Sequence, residues 1–302
     1  MPELSICIVS LDCWPVLRPC LESIAATDAG LTREIILVDN ASRDGTAEKV
    51  AREFPAVRLI TNDRNVGFSR ATNQAIAASS GRYILWLNPD TLLRPGSLRA
   101  LHEFLEGHPR AGIVGPKVLN EDGTFQPQCR RGLPTPRAAL FYFLGLDRMF
   151  PGRATFGPYL LRHLPIDQTA PVNAVSGSCL LARRQVWAEI GPIDERIFGF
   201  GEDIDWCVRA AKAGWEVWYL PQSVIVHLKG KGGAHARPFR KVLAIHHAMW
   251  VFYDKHLRPS RSFPVTAAVA AGIGLSLGLS LLRTAIARAA LKVSSVGRSA
   301  HV

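Results

Sequence analysis

No Cys-x-x-Cys pair occurs in the 302 residues, and the six cysteines (Cys7, Cys13, Cys20, Cys129, Cys179, Cys207) follow no regular spacing. That speaks against a zinc ribbon or a disulfide framework and predicts reduced, mostly buried thiols. Glycine-rich phosphate loops are missing as well. The first apolar run ends in Ser10-Leu11-Asp12-Cys13 with no GxGxxG, and GxxxxGK[ST] occurs nowhere, so neither a dinucleotide oxidoreductase nor a P-loop nucleotidase is expected. A secretory leader is not expected either, since Glu3 comes early and Leu4–Ser10 runs straight into polar residues; the bulk of the chain is placed in the cytosol. Acidic residues almost vanish after position 228: residues 229–302 hold twelve Lys and Arg but only Asp254, whereas residues 1–228 hold 24 basic and 24 acidic side chains. The whole formal charge of +11 therefore sits in the last quarter. A neutral main body lacks the local cationic surplus that phosphate neutralisation requires, so no nucleic-acid partner is expected.

What is present is ample apolar material, 48% of residues, enough for a core and incompatible with disorder. From the start, short β-branched runs alternate with helical ones. Leu4–Ser10, Glu34–Val38, Val57–Thr61 and Tyr83–Leu87 read as strands, and Val16–Ala26, Ala47–Phe54 and Ser69–Ala78 as helices, the pattern of an α/β fold with a central, mostly parallel sheet. Polar residues follow each strand: Asp12, then Asp39-Asn40, then Asn62-Asp63, then Asn88-Pro89-Asp90. In open α/β sheets that carboxyl edge is where ligands bind. Further on, the spacing predicts a helix over Leu98–Glu106, a strand over Gly112–Val118, a turn at Asn120–Gly123, and a strand through Val172–Ala182. A helix near Arg184–Ile190, a helix at Glu202–Ala213, strands at Trp215–Leu220 and Val224–His227, and a long helix at Phe239–His256 complete the pattern. Residues 125–170 resist assignment.

The tail contains Val265–Leu282, 18 residues without a charge, preceded by Arg258 and Arg261 and followed by Arg283, Arg288 and Lys292. This is near the minimum length for crossing a bilayer, though an in-plane helix and a buried soluble helix stay open as alternatives. Gly274-x-x-x-Gly278 lies within it, the spacing through which two membrane helices approach closely, and a homo-oligomer is kept open on that ground. The expected organisation is a catalytic domain over 1–235, a basic amphipathic helix region over 236–262 and a membrane-associated segment over 263–302.

Several ordered motifs stand at the strand ends and beyond: Ile36-Leu37-Val38-Asp39-Asn40-Ala41-Ser42, Asn65-Val66-Gly67-Phe68 with Asn73, Leu87-Asn88-Pro89-Asp90, Ser176-Gly177, Gly201-Glu202-Asp203-Ile204-Asp205 and Val226-His227. Carboxylates and carboxamides here suit hydrogen bonding to a base or sugar and metal-assisted handling of a diphosphate. Across residues 4–230 their order and spacing resemble the family 2 glycosyltransferases, with the nucleotide-sugar-binding fold called GT-A. The Asn-Pro-Asp version, with Arg130-Arg131-Gly132-Leu133-Pro134-Thr135-Pro136, looks most like bacterial rhamnosyltransferases of cell-envelope polysaccharide assembly.

That resemblance implies a role for each matching residue. Asp39 would bind the pyrimidine base of the donor, with the backbone around Ser10 and Leu11 beside it; the alternative is that Asp39 shapes a turn and caps the next helix. Asn65 and Gly67 would shape the loop over the nucleotide, and Arg70 would reach the diphosphate or stay solvated. Asp90 and His227 would hold Mg2+ or Mn2+, with Asn88, standing where the family usually has Asp, contacting the ribose or offering a neutral oxygen. Asp203 matches the family base for inverting displacement at the anomeric carbon, with Glu202 the less favoured choice. Ser176, Gly177, Glu202 and Trp206 are acceptor-side candidates, Trp206 with burial as the competing reading. Phe198-Gly199-Phe200-Gly201 reads as a loop that orders over bound donor. The implied reaction moves a sugar, with L-rhamnose from dTDP-rhamnose as leading donor and a UDP-hexose or UDP-N-acetylhexosamine as alternative, to a lipid-linked or polysaccharide acceptor at the cytoplasmic face of the bacterial inner membrane. A non-catalytic nucleotide-sugar-binding member of an envelope-assembly complex is the competing class.

Overall fold

A computed structural model describes residues 1–27, 30–228 and 238–299, with side chains as far as Arg288. The expected boundary at 235/236 falls outside the described residues, as do Lys229, Lys231 and Arg237 of the basic excess and the side chain of Lys292.

The first half alternates as the apolar pattern predicts: β1 (Leu4–Ser10), α1 (Trp14–Ala26), β2 (Arg33–Asp39), α2 (Thr46–Glu53), β3 (Arg58–Thr61), α3 (Phe68–Ala77) and β4 (Tyr83–Leu87). Every residue of β1 and β4 is buried, because helices cover both faces of the sheet and leave no side for polar alternation. Then come β5 (Thr91–Leu93), α4 (Ser97–Gly107), β6 (Ala111–Leu119), β7 (Arg130–Arg131), α5 (Pro136–Phe143), α6 (Leu146–Met149), β8 (Ala170–Pro171), β9 (Ala174–Val175), β10 (Cys179–Arg183), α7 (Arg184–Ile190), α8 (Glu202–Lys212), β11 (Glu216–His227), α9 (Pro238–His256) and α10 (Phe263–Ser299). The large sheet runs β3-β2-β1-β4-β10-β6-β11-β5, with β8 also on β11. β1 to β4 are mutually parallel, β10 runs against both β4 and β6, and β11 is parallel to β6. All six cysteines are free and buried.

Three expected strands are corrected. The run Val172–Ala182 is not one strand: β9 pairs with β7 in a separate two-stranded sheet, while β10 joins the main sheet between β4 and β6. The chain changes sheets at Ser176-Gly177-Ser178, whose backbone groups serve the site instead of a ladder. Conversely, Trp215–Leu220 and Val224–His227 are one strand, β11, whose register against β6 shifts between Leu220 and Val224; Pro221 has no N–H to donate there. The unassigned Ala138–Leu146 stretch forms most of α5 and, after Gly145, the start of α6.

The long helix α9 docks onto α8 through ionic contacts. Asp205, fully buried, accepts from Arg209 Nε at 3.0 Å, as the i,i+4 spacing predicts, and also meets Lys255 Nζ at 2.8 Å and His256 Nε2 at 2.7 Å, both from α9. Lys255 also reaches Asp194 at 2.9 Å. Burial raises the Asp205 carboxyl, but hydrogen bonds from His256 and Lys255 outweigh it and hold the group below its ordinary value. Asp194 is held well below the usual carboxylate range, chiefly by its hydrogen bonds from Arg196. A depressed carboxylate contributes stability that is present above the unfolded value of about 4 and lost as pH falls through the folded one. The thermal midpoint should therefore fall as pH drops from 5 to 3, with a shallower slope in Asp194→Asn, read by calorimetry across that range.

In α10, Phe263–Arg288 is long and apolar enough to cross a membrane, with a mean hydropathy of 2.0 and no part of its most apolar stretch buried against the body. It packs on α9, where His246 Nε2 lies 3.0 Å from Ser276 Oγ and Tyr253 Oη lies 3.1 Å from Thr266 Oγ1.

Candidate active site

The carboxyl ends of β1 and β2 are tied together by side chains from the loops that follow them. Ser10 and Asp39 are paired in register; Ser10 Oγ donates to Asp39 Oδ1 at 3.0 Å, and Ser42 donates to the same carboxylate from its backbone N–H at 3.0 Å and its hydroxyl at 2.6 Å. Asp39 thus shapes the turn while remaining at the sheet edge. Next to it, Asn40 Nδ2 donates to Asn65 Oδ1 at 3.0 Å, and Asn40 Oδ1 accepts from the Val66 N–H at 3.0 Å. Asn65 in turn accepts from the Gly67 N–H at 2.9 Å.

Gly67 opens α3 with φ of 92°, and a Cβ there would lie 2.7 Å from the Phe198 ring, so only glycine fits both the backbone and the neighbour. The loop before α8 is strapped to α3: the Phe68 N–H donates to Phe198 O at 2.9 Å, the Ser69 hydroxyl donates to Ile197 O, and Asn73 exchanges hydrogen bonds with the Ile193 backbone. Phe198-Gly199-Phe200-Gly201 therefore lies on the entrance to α3 beside Gly67. Arg70 is largely exposed, 3.9 Å from Glu195.

The turn after β4 and the end of β11 meet because β5 pairs antiparallel with β11, Thr91 opposite His227. Asp90 Oδ1 and His227 Nε2 are 3.1 Å apart, both largely buried. Gln126 fixes the imidazole: its Nε2 donates to His227 O at 3.0 Å, which leaves its Oε1 facing Nδ1 at 3.2 Å. With Nδ1 facing Gln126, Nε2 is the ring nitrogen turned to the Asp90 carboxylate. Among the described residues no group of three His, Cys, Asp or Glu converges. A carboxylate oxygen and an imidazole nitrogen side by side nevertheless fit a divalent cation whose other positions go to diphosphate oxygens and water. Asn88 precedes this pair; its N–H donates to Ser178 O at 3.0 Å.

Asp203 stands at the start of α8. Its Oδ2 accepts from Arg131 Nη2 at 2.6 Å and from the Gly177 N–H at 2.8 Å, and its Oδ1 accepts from the Ile204 N–H at 2.8 Å. Burial would lower the Arg131 guanidinium, but the adjacent Asp203 charge more than reverses that, keeping it protonated. The turn Ser176-Gly177-Ser178 thus touches Asp203 through one residue and Asn88 through the next, joining the two halves of the site. Ser176 Oγ accepts from the Ser178 N–H at 3.2 Å, closing the turn. Gly177 has no room for more: a Cβ would sit 3.1 Å from Trp86 and 3.4 Å from Asp203 Cβ.

Glu202 is buried beside Asp203, and its Oε2 has no hydrogen-bond partner. Burial and the neighbouring Asp203 charge push its carboxyl up to about 8, so at neutral pH it is mostly protonated. Two adjacent carboxyls are therefore unlike: one is bound to an arginine, the other is neutral. Trp206 takes its competing reading, burial: it is 1% exposed, packs against Trp187 with tilted rings whose centroids are 6.2 Å apart, and donates to Gly191 O at 3.2 Å; the inner face of α8 turns it into the core. Arg131 and Gln126 are neighbours that spacing alone does not assign, since they lie 72 and 101 residues from the groups they hold.

This architecture and this sequence both have relatives. The profile described as "Glycosyl transferase family 2" matches residues 5–159. An N-acetylglucosaminyl-diphospho-decaprenol L-rhamnosyltransferase of Mycobacterium tuberculosis is 32% identical over 234 residues, 74% of this chain and 75% of that protein. A low-salt glycan biosynthesis hexosyltransferase of Haloferax volcanii is 26% identical over 59% of this chain and 53% of its own. The solved mannosyltransferase of Pyrobaculum calidifontis, in complex with GDP-Man and Mn2+, superposes with a TM-score of 0.58 at 19% identity, covering 100% of this chain and 81% of that one. Its likeness establishes the GT-A fold. With the motifs in order along the same sheet edge and the family profile spanning half the chain, the protein belongs to glycosyl transferase family 2.

Proposed function

We propose that the protein transfers L-rhamnose from dTDP-rhamnose to a hydroxyl of a lipid-linked acceptor at the cytoplasmic face of the membrane, with inversion at the anomeric carbon. The observation that carries this reading is the opposition, across one Ser176–Ser178 turn, of an arginine-held carboxylate and a carboxylate–imidazole pair. The relative most informative about substrates is the rhamnosyltransferase, whose acceptor is a decaprenol diphosphate sugar and whose alignment spans three quarters of both chains.

Each residue then has a task. Asp39, held by Ser10 and Ser42, presents a carboxylate edge to the N–H of a pyrimidine base. Asn65 and Gly67 shape the loop over the nucleotide, with Phe198 across it. Asn88 contacts the ribose, and Arg70 lies at the entrance where a diphosphate would draw it from Glu195. Asp90 and His227 would hold a divalent cation, which when bound would neutralise charge on a departing diphosphate. On the other side, Asp203 takes the proton from the attacking acceptor hydroxyl. Arg131 and the Gly177 N–H hold its Oδ2 and so fix the carboxylate plane. Glu202, neutral at the same end of α8, can donate to an acceptor oxygen without adding a second negative charge. One base and no second nucleophilic carboxylate match a single displacement. Helix α10, with Arg258 and Arg261 before its apolar run and Arg283 and Arg288 after it, keeps the enzyme at an anionic membrane.

The test is turnover by the purified full chain with Mn2+, a polyprenyl-diphospho-N-acetylglucosamine acceptor, and dTDP-rhamnose set against UDP-glucose and UDP-N-acetylglucosamine. Rhamnose incorporation with inverted anomeric configuration is expected. Donor binding without transfer from any of the three donors would favour the non-catalytic reading. In the same assay, Asp90→Ala and His227→Ala should each lower turnover on the order of 100-fold, and chelation by EDTA should abolish it until Mn2+ is restored.

A further inference from the structure

The α5–α6 hairpin carries a surface that the described residues leave uncovered. Leu140, Phe143, Leu144, Met149 and Phe150 are 41–67% exposed, a run of large apolar side chains that a water-facing surface does not ordinarily keep together. Around them stand Arg137, Arg148 and Arg153, all exposed. Residues 136–153 contain a single acid, Asp147. It is turned inward, 2% exposed, and accepts from Arg162 Nε at 2.9 Å. The outward face is therefore apolar and cationic with no exposed carboxylate.

The hairpin is firmly built. Thr135 caps α5, accepting from the Ala138 N–H at 3.2 Å, and Ala138 is buried. The rings of Phe141 and Phe150 both pack on Phe156, with centroids 5.5 and 5.0 Å away. Its position is equally informative. Tyr142 meets Tyr159 edge-on at 5.5 Å, and the Tyr159 phenol lies beside Arg131 and Asp203, where burial raises its titration. Helix α9, on which α10 packs, also reaches this end of the site. Ala248 and Val251 of α9 pack on Ile197, Ala248 approaches Gly201, and Lys241 lies 5.3 Å above the Phe200 ring. Asp203 is thus linked through Arg131 and Tyr159 to the hairpin, and the glycine two residues before it, Gly201, meets the helix on which the candidate membrane span packs.

We propose that the hairpin Pro136–Phe150 is a second membrane contact, whose apolar tip enters the interface of an anionic bilayer while Arg137, Arg148 and Arg153 meet its headgroups, beside the path to Asp203. This rests on the reading that the acceptor is lipid-linked. Apolar side chains flanked by arginines bind such an interface by burial and electrostatic attraction together. A hairpin seated there brings Asp203 within reach of a headgroup-level sugar, so the lipid tail never has to leave the bilayer.

All six native cysteines are buried, so a thiol dye on Phe143→Cys reports the hairpin alone, with Glu48→Cys on exposed α2 as control. With the full chain bound to phosphatidylcholine–phosphatidylglycerol vesicles, the Phe143→Cys dye is expected to shift to the blue, resist aqueous iodide and be quenched by brominated lipid, whereas the Glu48→Cys dye does none of these. Equal iodide access at both positions on vesicle-bound protein would overturn the proposal. So would protection that appears without vesicles and grows with protein concentration, which would mean that a second copy covers the face. In a separate assay, Leu140→Ser/Phe143→Ser/Leu144→Ser should lower transfer to vesicle-embedded polyprenyl-diphospho-N-acetylglucosamine about tenfold. Donor hydrolysis in water should be unchanged. Equal transfer by the variant would overturn the proposal; absence of transfer by the unaltered chain would strike the transferase reading, and the dye result would still decide the membrane contact.

Discussion

Asp203→Asn is expected to lower sugar transfer by about 10²- to 10⁴-fold, the range that removal of a positioned general base costs, while donor binding stays within a few-fold of the unaltered protein. The asparagine oxygen can still accept from Arg131 and from the Gly177 N–H, which now meet at Asp203 Oδ2 at 2.6 and 2.8 Å, while its Nδ2 replaces Oδ1 and gives up the bond from the Ile204 N–H; the anchor to Arg131 and Gly177 is kept and the proton acceptor is lost. Single-turnover transfer beside calorimetric donor binding reads the two separately. Preserved binding with lost transfer assigns the base; transfer within tenfold of the unaltered enzyme would move that role elsewhere, with Glu202 the first alternative. A fall in binding to match would mean that the charge organises the whole site.

The second large effect is on stability. Asp205→Ala should cost about 3–5 kcal/mol, because it removes the buried carboxylate that Arg209, Lys255 and His256 share and takes from Arg209 its ion-pair partner. Arg209, Lys255 and His256 all converge on this fully buried side chain, at 3.0, 2.8 and 2.7 Å. In a domain of this size that loss corresponds to a midpoint lower by roughly 10 °C. Lys255 and His256 belong to α9, so the loss should appear first as detachment of α9. Trp250 lies on that helix, and since six further tryptophans lie outside it, its signal is read as the difference from the same protein carrying Trp250→Phe, to be compared with far-ultraviolet circular dichroism for the sheet. Two transitions are expected in the variant; a single transition at the original midpoint would mean that apolar contacts around Phe252, Ala248 and Val251 hold α9 by themselves.

These two aspartates show how differently neighbouring residues can be read. The Asp205–Arg209 pair follows from helical periodicity, since residues four apart share a face. The contacts of Asp205 with Lys255 and His256 cross 50 and 51 residues, and no local pattern marks them. Asp203 is conspicuous as part of an acidic helix start, yet its partner Arg131 comes from a two-residue strand in a stretch that gives no clear periodicity. The same stretch holds α5 and α6, short helices with Gly145 between them, too brief for a 3.6-residue period to show. Trp206 fails in the opposite direction: its place next to the acids suggests an acceptor contact, and only the phase of α8 against Trp187 shows that it faces the core.

The deficit of acid after residue 228 likewise gains meaning only in three dimensions. Lys255 bridges Asp194 and Asp205, so one residue of the basic excess fastens α9 to the body, whereas Arg258 pairs locally with Asp254 at 2.8 Å. Arg261, Arg283 and Arg288 flank the apolar run.

By itself the sequence determined the alternating α/β order, the polar carboxyl edge of β1, β2 and β4, the family, and the apolar tail, because each rests on residues close along the chain, where hydrophobic period and strand-end chemistry operate. Only the tertiary structure decided that β10 inserts between β4 and β6, that Arg131 holds Asp203, that Gln126 orients His227 toward Asp90, and that Trp206 is core. Those outcomes depend on which distant segments share a sheet edge or a buried pocket, and burial gives a charge its partner only after the chain has closed around both.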